Sequence, residues 1–535
     1  MQNQRSDGLR IAFGTFVLVT AMCCTGVHAQ TSAESVWPTK EWQTSTPEEQ
    51  GMDSAALARL VEFGTTRDFD SLLIARHGRI VLDAYYAPYA AGIPHAINSA
   101  TKAVVGTLTA IAYKDGLLDS FGHPMLDFFR DRDVANLDER KKAITVQTLL
   151  DMTSGIDWKE PLDGRPDSLI EMMRSSDWIK FTLDRPMSSA PGDIFNYNSG
   201  NPHLLSAIIT KLSGMSASDY AKAKLFGPLG IETVVWRHDP QGFPLGGFGL
   251  ALHPRDMAKI GYLYLRNGQW EGKSLLPPGW IERVSHATVD MHGTFEPEMR
   301  YSNQFWALPK KQVYMAVGYH CQMIMVFPQR DIVAVTTARD FCPFSRMADL
   351  ISGAVQSEAA LPPNPAGAGL LANAIRDVSG EKPPEMGPTP EIASHVSGKI
   401  YKFFGNPLGV KSLSLTFDDP NPHYGLEMYD LDPTKPSQKS AGQLGMDGLY
   451  RTSGPSVFGA LSMKGNWSDG HTFVIDRQML GTGEGQKWSL SFDGEKLNLR
   501  GSGRDGLHDP LRRGVPDAVR ARCRPCVHRR ERCTP

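Results

Sequence analysis

A change in composition divides this chain into two parts with different patterns of secondary structure. Residues 359–391 are rich in Pro, Gly and Ala, with one short helical piece near Leu370, which is typical of a linker. Before this segment helical and strand patterns are mixed, whereas after it short strands are separated by Asp, Pro and Gly. The sequence therefore predicts two domains, residues 30–358 and residues 392–503.

The first domain combines an early hairpin with late strands. Residues 71–75 and 80–85 have strand patterns, and residues 76–79 between them predict a tight turn. Three further strand patterns lie at residues 313–337, and helical patterns dominate residues 120–235. This order predicts an α+β fold, in which an antiparallel sheet is flanked by helices and a helical subdomain is inserted.

The second domain and the tail differ sharply. The short strands of residues 392–503 predict an all-β domain of sandwich or barrel type. Residues 504–535 have no apolar period but contain nine arginines and three cysteines, Cys523, Cys526 and Cys533. Because the paired ligand spacing of a folded zinc site is missing, we interpret this segment as a disordered basic tail.

The N-terminus has the features of a secretory signal. Two arginines precede the apolar residues 11–24, which are too few for a membrane span, and a cleavage site follows Ala29. A signal peptide over residues 1–29 would make the mature protein periplasmic or secreted. A lipoprotein signal is the alternative because Cys23 ends the apolar run, although Met22 is not the small residue that such sites prefer.

Charge and cysteine content limit the partners and the compartment. The formal net charge is −2, so no charge excess favours nucleic acid or an anionic membrane as a partner. An exported protein can form disulfides, and Cys321 and Cys342 lie near the same late hairpin. We therefore consider a disulfide between them as a hypothesis, although their registers in a simple hairpin do not match.

The clearest candidate for chemistry is Ser99, three residues before Lys102. The apolar spacing of residues 103–112 predicts a helix, with Ser99 at its N-terminus and Lys102 one turn later on the same face. The positive end of the helix favours an alkoxide and disfavours an ammonium, so Ser99 is a candidate nucleophile and Lys102 its base. Alternatively, Ser99 only caps the helix and Lys102 is solvated, since one Ser-x-x-Lys pair is expected by chance.

Three later segments are also candidates for the same cleft. Tyr197 precedes Asn198 and Ser199 on a loop ahead of a helix, where a side chain can reach a cleft, although packing is the commoner role of a loop tyrosine. The glycine-rich residues 245–250 predict a turn that lets backbone approach the cleft. Residues 318–322, Gly-Tyr-His-Cys-Gln, lie between two of the late strands.

The three motifs at Ser99, Tyr197 and Gly318 occur in a specific order across roughly residues 40–355. This order resembles the serine β-lactamase and penicillin-binding-protein superfamily, in particular the class C β-lactamase-related esterases and amidases of the aminohexanoate-dimer hydrolase group. The resemblance implies a β-lactamase/transpeptidase-like sheet with flanking helices. It also implies a hydrolase that acts on a small-molecule ester or amide through an acyl-enzyme, without a metal or cofactor.

The resemblance also implies a role for each residue. Ser99 would be acylated, Lys102 would be its base, and Tyr197 would shuttle the proton to the leaving group. The N–H groups of Ser99 and Tyr319 would form the oxyanion hole. The residues expected to contact substrate are Asn198, Ser199 and His320.

Two departures from the β-lactamase pattern favour esters and linear amides over β-lactams. The third motif has Tyr319 and His320 where β-lactamases carry a cation and a hydroxyl, and Asn198 and Ser199 exchange the usual order. Two alternatives stay open: a β-lactamase or D-alanyl-D-alanine peptidase, and a catalytically silent binding protein whose β domain carries the function.

Overall fold

The computed structural model describes residues 37–160, 167–341, 343–406, 408–417, 420–429, 436–456, 459–482, 484–494, 496–503 and 518–522. The expected signal peptide at residues 1–29 lies outside the described residues, as do Cys342 and the three cysteines of the tail. No helix within these ranges is long and apolar enough to cross a membrane.

A nine-stranded sheet forms the centre of the N-terminal part. The strands of this part are, in chain order, β1 (Gln43–Thr44), β2 (Phe69–Arg76), β3 (Arg79–Tyr85), β4 (His95–Ala96), β5 (Val235–Trp236), β6 (Leu250–Leu252), β7 (Gln269–Trp270), β8 (Lys273–Ser274), β9 (Val289–Asp290), β10 (Arg300–Ser302), β11 (Phe305–Leu308), β12 (Val313–Gly318), β13 (Gln322–Phe327) and β14 (Ile332–Ala338). The order in the main sheet is β1-β3-β2-β14-β13-β12-β11-β10-β9. Its pairs are antiparallel apart from β1 with β3.

The hairpin of β2 and β3 shows how local sequence sets this sheet. His77 and Gly78 have φ angles of 51° and 76°, as in the two-residue turns whose twist matches a hairpin. Arg76 pairs with Arg79 across the turn. The tight turn predicted at residues 76–79 is therefore confirmed.

Helices cover both faces of the sheet. The helices of the described ranges are α1 (Ser54–Thr65), α2 (Thr101–Lys114), α3 (Glu139–Lys142), α4 (Val146–Leu150), α5 (Ser168–Arg174), α6 (Trp178–Asp184), α7 (Gly200–Ser213), α8 (Ala217–Ala221), α9 (Pro254–Leu265), α10 (Trp280–Ser285), α11 (Phe344–Gly353), α12 (Pro365–Ser379) and α13 (Ile392–Val396), of which α13 packs in the core of the C-terminal sheet. Helices α3 to α8 follow one another in the region predicted as a helical subdomain. The α+β prediction is confirmed.

Alternate side chains of β2 enter two separate apolar cores, because strand side chains point alternately to the two faces of a sheet. Leu73 packs in a core with α2, α7 and α9, whereas Leu72 and Ile74 pack in a second core with α1, α11 and α12. Helix α2 lies within the first core and is buried at residues 101–112. The helix that carries Lys102 is thus packed on all sides, which fixes its position.

The segment predicted as a linker contains a helix of the N-terminal part. The side chain of Asn364 caps α12 by accepting a hydrogen bond from the N–H of Gly367 at 3.0 Å. Leu371 and Ala374 of this helix are buried in the second core. The small residues that indicated a linker instead allow α12 to pack closely on α1, so the N-terminal part extends to Ser379.

The C-terminal part is a ten-stranded antiparallel sheet. Its strands are β15 (Ile400–Lys402), β16 (Val410–Thr416), β17 (His423–Met428), β18 (Gln438–Gln443), β19 (Arg451–Ser456), β20 (Gly459–Trp467), β21 (Thr472–Leu480), β22 (Glu484–Asp493), β23 (Lys496–Gly503) and β24 (Ala518–Arg522). The order is β18-β17-β16-β15-β24-β23-β22-β21-β20-β19. The edge strands β18 and β19 contact each other, so the sheet curves towards a closed barrel around its own apolar core.

The tail predicted to be disordered contributes one strand to this sheet. β24 pairs with β23 from Lys496 to Arg500 and with β15 at Lys402. Without β24, the backbone N–H and C=O groups of both neighbours would face an open edge at this point. Backbone pairing therefore explains why residues 518–522 join the sheet although their sequence has no apolar period.

The turn after β21 contacts the N-terminal part. The carbonyl oxygen of Gly481 accepts a hydrogen bond from the N–H of Ala96 in β4. Gly481 has a φ of 88°, and a Cβ there would collide with the carbonyl oxygen of Pro94, so glycine is required. A salt bridge of 3.2 Å joins Lys464 of the C-terminal sheet to Glu381, which lies two residues after the end of α12. The C-terminal sheet is thus anchored on the strand that precedes Ser99.

Candidate active site

Ser99 lies in a short 3-10 helix, Asn98–Ala100, that continues directly into α2. Asn98 has a φ of 48°, a left-handed conformation that asparagine tolerates. Its Nδ2 donates a hydrogen bond of 3.0 Å to the carbonyl oxygen of Tyr319. Ser99 is therefore held at the start of a buried helix and beside the end of β12, and its predicted position at a helix N-terminus is confirmed.

Lys102 approaches Ser99 from the interior of the protein. Its Nζ donates hydrogen bonds to Ser99 Oγ at 2.9 Å and to the carbonyl oxygen of Gly247 at 2.7 Å, and the side chain is only 1% exposed. Burial lowers the pKa of Lys102 to about 8, against the opposing effect of the Glu160 charge. A larger fraction of Lys102 is therefore neutral near pH 7 than of an ordinary lysine, so it can accept a proton from Ser99.

Tyr197 completes this group of side chains. Lys102 Nζ lies 4.8 Å from the centre of the Tyr197 ring, and a side-chain hydrogen bond links Tyr197 to Ser99. Burial, and then the charge of Glu160, raise the pKa of Tyr197. Its phenol is therefore protonated at neutral pH and suited to donate or relay a proton.

The glycine-rich turn at residues 245–250 brings backbone into the site. The carbonyl of Gly247 binds Lys102, and a Cβ on Gly247 would come within 3.0 Å of Ser199. A Cβ on Gly246 would collide with the carbonyl oxygen of Pro202. The predicted approach of this turn to the cleft is confirmed.

Asn198 and Ser199 hold the turn that carries Tyr197. Asn198 Oδ1 accepts hydrogen bonds from the N–H of Gly200 at 2.7 Å and of Asn201 at 3.2 Å, and so pairs two N–H groups in the first turn of α7. Ser199 Oγ donates a hydrogen bond of 2.7 Å to Glu160. Both side chains are 1% exposed, so the structure gives them structural partners, and their contact with substrate stays a prediction.

The third motif meets the Ser99 segment at Gly318. A Cβ on Gly318 would collide with the carbonyl oxygen of Ile97, so only glycine allows the end of β12 to lie this close. Tyr319 follows this contact directly and Ser99 follows Ile97 by two residues. The two N–H groups expected to form an oxyanion hole thus lie on adjoining segments, although the hole itself stays a prediction.

An aromatic cluster borders the end of β12. The His320 ring lies 3.9 Å from the Tyr319 ring and 5.7 Å from the Phe341 ring, measured between centroids. Tyr319 and Phe341 are 37% and 38% exposed. This cluster gives the site an apolar rim, while the contact of His320 with substrate stays a prediction. Cys321 is disulfide-bonded.

Sequence reasoning did not find Glu160 or its role beside Tyr197. Glu160 is one of several acidic residues in the sequence between α4 and α5, and no local pattern distinguishes it from a solvated loop residue. Its importance follows from hydrogen bonds to Ser199, which is 39 residues away in the chain. The sequence did indicate that the backbone near Gly247 approaches the cleft, because glycines are clustered there, but it did not indicate that the carbonyl of Gly247 binds Lys102.

Comparison with known proteins finds related sequences and folds. The family model described as Beta-lactamase matches residues 57–350. A curated 6-aminohexanoate-dimer hydrolase from Paenarthrobacter ureafaciens is 25% identical over 287 residues, which cover 50% of this chain and 71% of that protein.

Solved structures also match at low sequence identity. An octameric penicillin-binding protein homologue from Pyrococcus abyssi matches with a TM-score of 0.45 at 16% identity, over 83% of this chain and 97% of that one. EstCE1, a hydrolase with promiscuous acyltransferase activity, matches with a TM-score of 0.46 at 16% identity, over 61% of this chain and 98% of that one.

Proposed function

This chain belongs to the beta-lactamase family of hydrolases, and from that premise we propose that it hydrolyses ester or small linear amide bonds through an acyl-enzyme on Ser99. The observation that carries the proposal is the hydrogen bond of 2.9 Å between Lys102 Nζ and Ser99 Oγ. A nucleophile and its base must be this close for the proton to leave as the nucleophile attacks.

Acylation uses all three side chains of the site. Neutral Lys102 takes the hydroxyl proton as Ser99 Oγ attacks the carbonyl carbon, and the electron pair of the C=O bond moves to oxygen. The N–H groups of Ser99 and Tyr319 would stabilise this oxyanion. When the intermediate collapses, the bond to the alcohol or amine breaks, and Tyr197 passes the proton from Lys102 to the leaving group.

Deacylation repeats these steps with water as the nucleophile. Lys102, with Tyr197 as relay, takes a proton from the water as its oxygen attacks the acyl carbon. The bond to Ser99 Oγ then breaks, and Ser99 recovers its proton. The products are a carboxylic acid and the free enzyme, so neither a metal nor an oxidant enters the balance.

The third motif favours esters and linear amides over β-lactams. Recognition of a β-lactam carboxylate at this strand relies on a cation, and here Tyr319 and His320 follow the end of β12. A tyrosine carries no positive charge, and a histidine lacks the permanent positive charge and the three donors of a lysine ammonium, so this pair is less suited to bind a carboxylate. The exposed aromatic rings beside it suit an apolar acyl or leaving group.

A substrate panel tests this proposal. We expect the purified protein to hydrolyse p-nitrophenyl butyrate at least ~100-fold faster, in kcat/KM, than nitrocefin, because the site lacks the carboxylate-binding cation. A small linear p-nitroanilide tests amides, and Ser99→Ala protein supplies the blank. If nitrocefin were the better substrate, the enzyme would be a β-lactamase. If no substrate were turned over, a silent binding protein would be favoured.

Gly318→Ala is expected to lower kcat/KM for the ester by roughly 100-fold. The added Cβ collides with the carbonyl oxygen of Ile97 and pushes the Tyr319 N–H away from the developing oxyanion. Gly353→Ala is the matched control, because a Cβ on Gly353 meets no atom. Circular dichroism of both variants reports on folding, and a fully active Gly318→Ala protein would contradict the expected oxyanion site.

A further inference from the structure

Glu160 is a carboxylate whose charge acts on Lys102 and Tyr197 but that takes no part in the steps above. Its Oε2 accepts hydrogen bonds from Trp158 Nε1 at 2.8 Å and from the N–H of Ser199 at 2.9 Å. Its Oε1 accepts a third from Ser199 Oγ at 2.7 Å. Three donors with short distances hold the carboxylate in one orientation.

These bonds place Glu160 against the turn that carries Tyr197. Ser199 is the N-cap residue of α7, so the carboxylate lies at the positive end of that helix. On its other side, Ser199 packs against Gly247, whose carbonyl accepts the hydrogen bond from Lys102. A continuous set of contacts therefore leads from Glu160 through Ser199 and Gly247 to Lys102.

The charge of Glu160 also acts on the reacting groups. It raises the pKa of Lys102 in opposition to burial, and it adds to the effect of burial in raising the pKa of Tyr197. The same charge also acts on Tyr301 and Asp167. Lys102 is thus a cation of the site that responds to Glu160.

We propose that Glu160 is a positioning residue for acylation: its carboxylate, held by Trp158 and Ser199, fixes the turn that carries Tyr197 beside Ser99. This inference rests on the proposed function, since it concerns the proton transfer from Ser99. Glu160 forms no covalent bond in the reaction and gains or loses no proton. It acts through Ser199 and Lys102.

The test measures how fast a fluorophosphonate probe labels the full-length protein between about pH 5 and about pH 10. The rate should rise with pH as Lys102 loses its proton. In Glu160→Gln we expect the midpoint of this rise to move to lower pH by about half a unit to one unit, because removal of an anion destabilises the ammonium. We also expect the plateau rate to fall by about 10-fold as the turn loosens.

Two variants separate charge from position. Ser199→Ala and Glu160→Asp both keep the carboxylate charge while weakening the hydrogen bonds, so each should lower the plateau and leave the midpoint unchanged. Circular dichroism checks the folding of each variant. If Glu160→Gln did not fold, the proposal would still predict that Glu160→Asp has a lower plateau rate and an unchanged midpoint.

The possible failures are distinguishable. A midpoint in Glu160→Gln equal to that of the wild type, or an equal shift in Ser199→Ala, would overturn the role of the Glu160 charge. A wild-type plateau in Glu160→Asp and Ser199→Ala would overturn the positioning role. A wild-type protein that the probe does not label at any pH would overturn the proposed function itself, and this inference with it.

Discussion

Ser99→Ala is expected to lower kcat/KM for p-nitrophenyl butyrate by at least ~10⁴-fold, because the acyl-enzyme cannot form without the hydroxyl. Ser99 Oγ is the atom to which Lys102 donates its hydrogen bond of 2.9 Å. The loss should therefore be in kcat, with little change in overall structure. Steady-state kinetics and intact-protein mass spectrometry after treatment with a fluorophosphonate measure both effects.

A second serine provides the control for this variant. Ser71 is as buried as Lys102, at 1% exposure, and its Oγ bonds to Thr337 within the sheet. Ser71→Ala should keep its labelling at Ser99 and most of its activity. If Ser99→Ala protein still formed a probe adduct, the nucleophile would be a different residue. The same would follow if it kept more than about one hundredth of the wild-type activity.

Lys102→Met is expected to lower kcat/KM by about 10³-fold to 10⁴-fold while increasing the free energy of unfolding at pH 7 by roughly 1–2 kcal/mol. The pKa of Lys102 is about 8 in the folded protein against an ordinary value of 10.5, so the unfolded chain binds this proton more tightly. Lys102 therefore destabilises the fold below about pH 8, and this penalty disappears as the pH rises towards 10.5. Methionine has a similar volume and no charge to bury.

Denaturant unfolding at pH 7 and near pH 9 measures the change in stability. The wild type should gain stability between these pH values relative to Lys102→Met. Lys259 is the matched control, because it is 5% exposed but forms a salt bridge of 3.2 Å with Asp256. Lys259→Met should destabilise the protein, and a Lys102→Met protein less stable than the wild type would contradict the cost assigned to Lys102.

Local signals in the sequence predict the parts of this fold that depend on neighbouring residues. The turn at His77 and Gly78 and the start of α2 after Ser99 could be predicted because each is decided within a few residues. The pairing of Leu73 with Val335 in the sheet could not, because it joins distant residues. Only a short helical piece near Leu370 could be predicted for α12, because the Pro, Gly and Ala residues around it are also typical of linkers.

The candidate site follows the same division. Ser99 and Lys102 could be placed together because one helical turn separates them, and the turn at residues 245–250 could be placed near them because its glycines indicate a close backbone approach. Glu160 could not be identified, since its position depends on Ser199 and on the packing of α7. The roles of Asn198 and Ser199 in holding the turn likewise become visible only when α7 and the loop after α4 are in contact.

The contact between Gly481 and Ala96 limits how this chain can diverge over evolutionary time. Strand β4 pairs with β6 at Leu252 and also receives the turn of the C-terminal sheet. An insertion or deletion in residues 93–96 would have to be accommodated by both neighbours and would move Ser99. If recombination replaced the part of the gene that encodes the C-terminal sheet, residues 93–96 would need matching changes. The two parts of the protein are therefore expected to be inherited together.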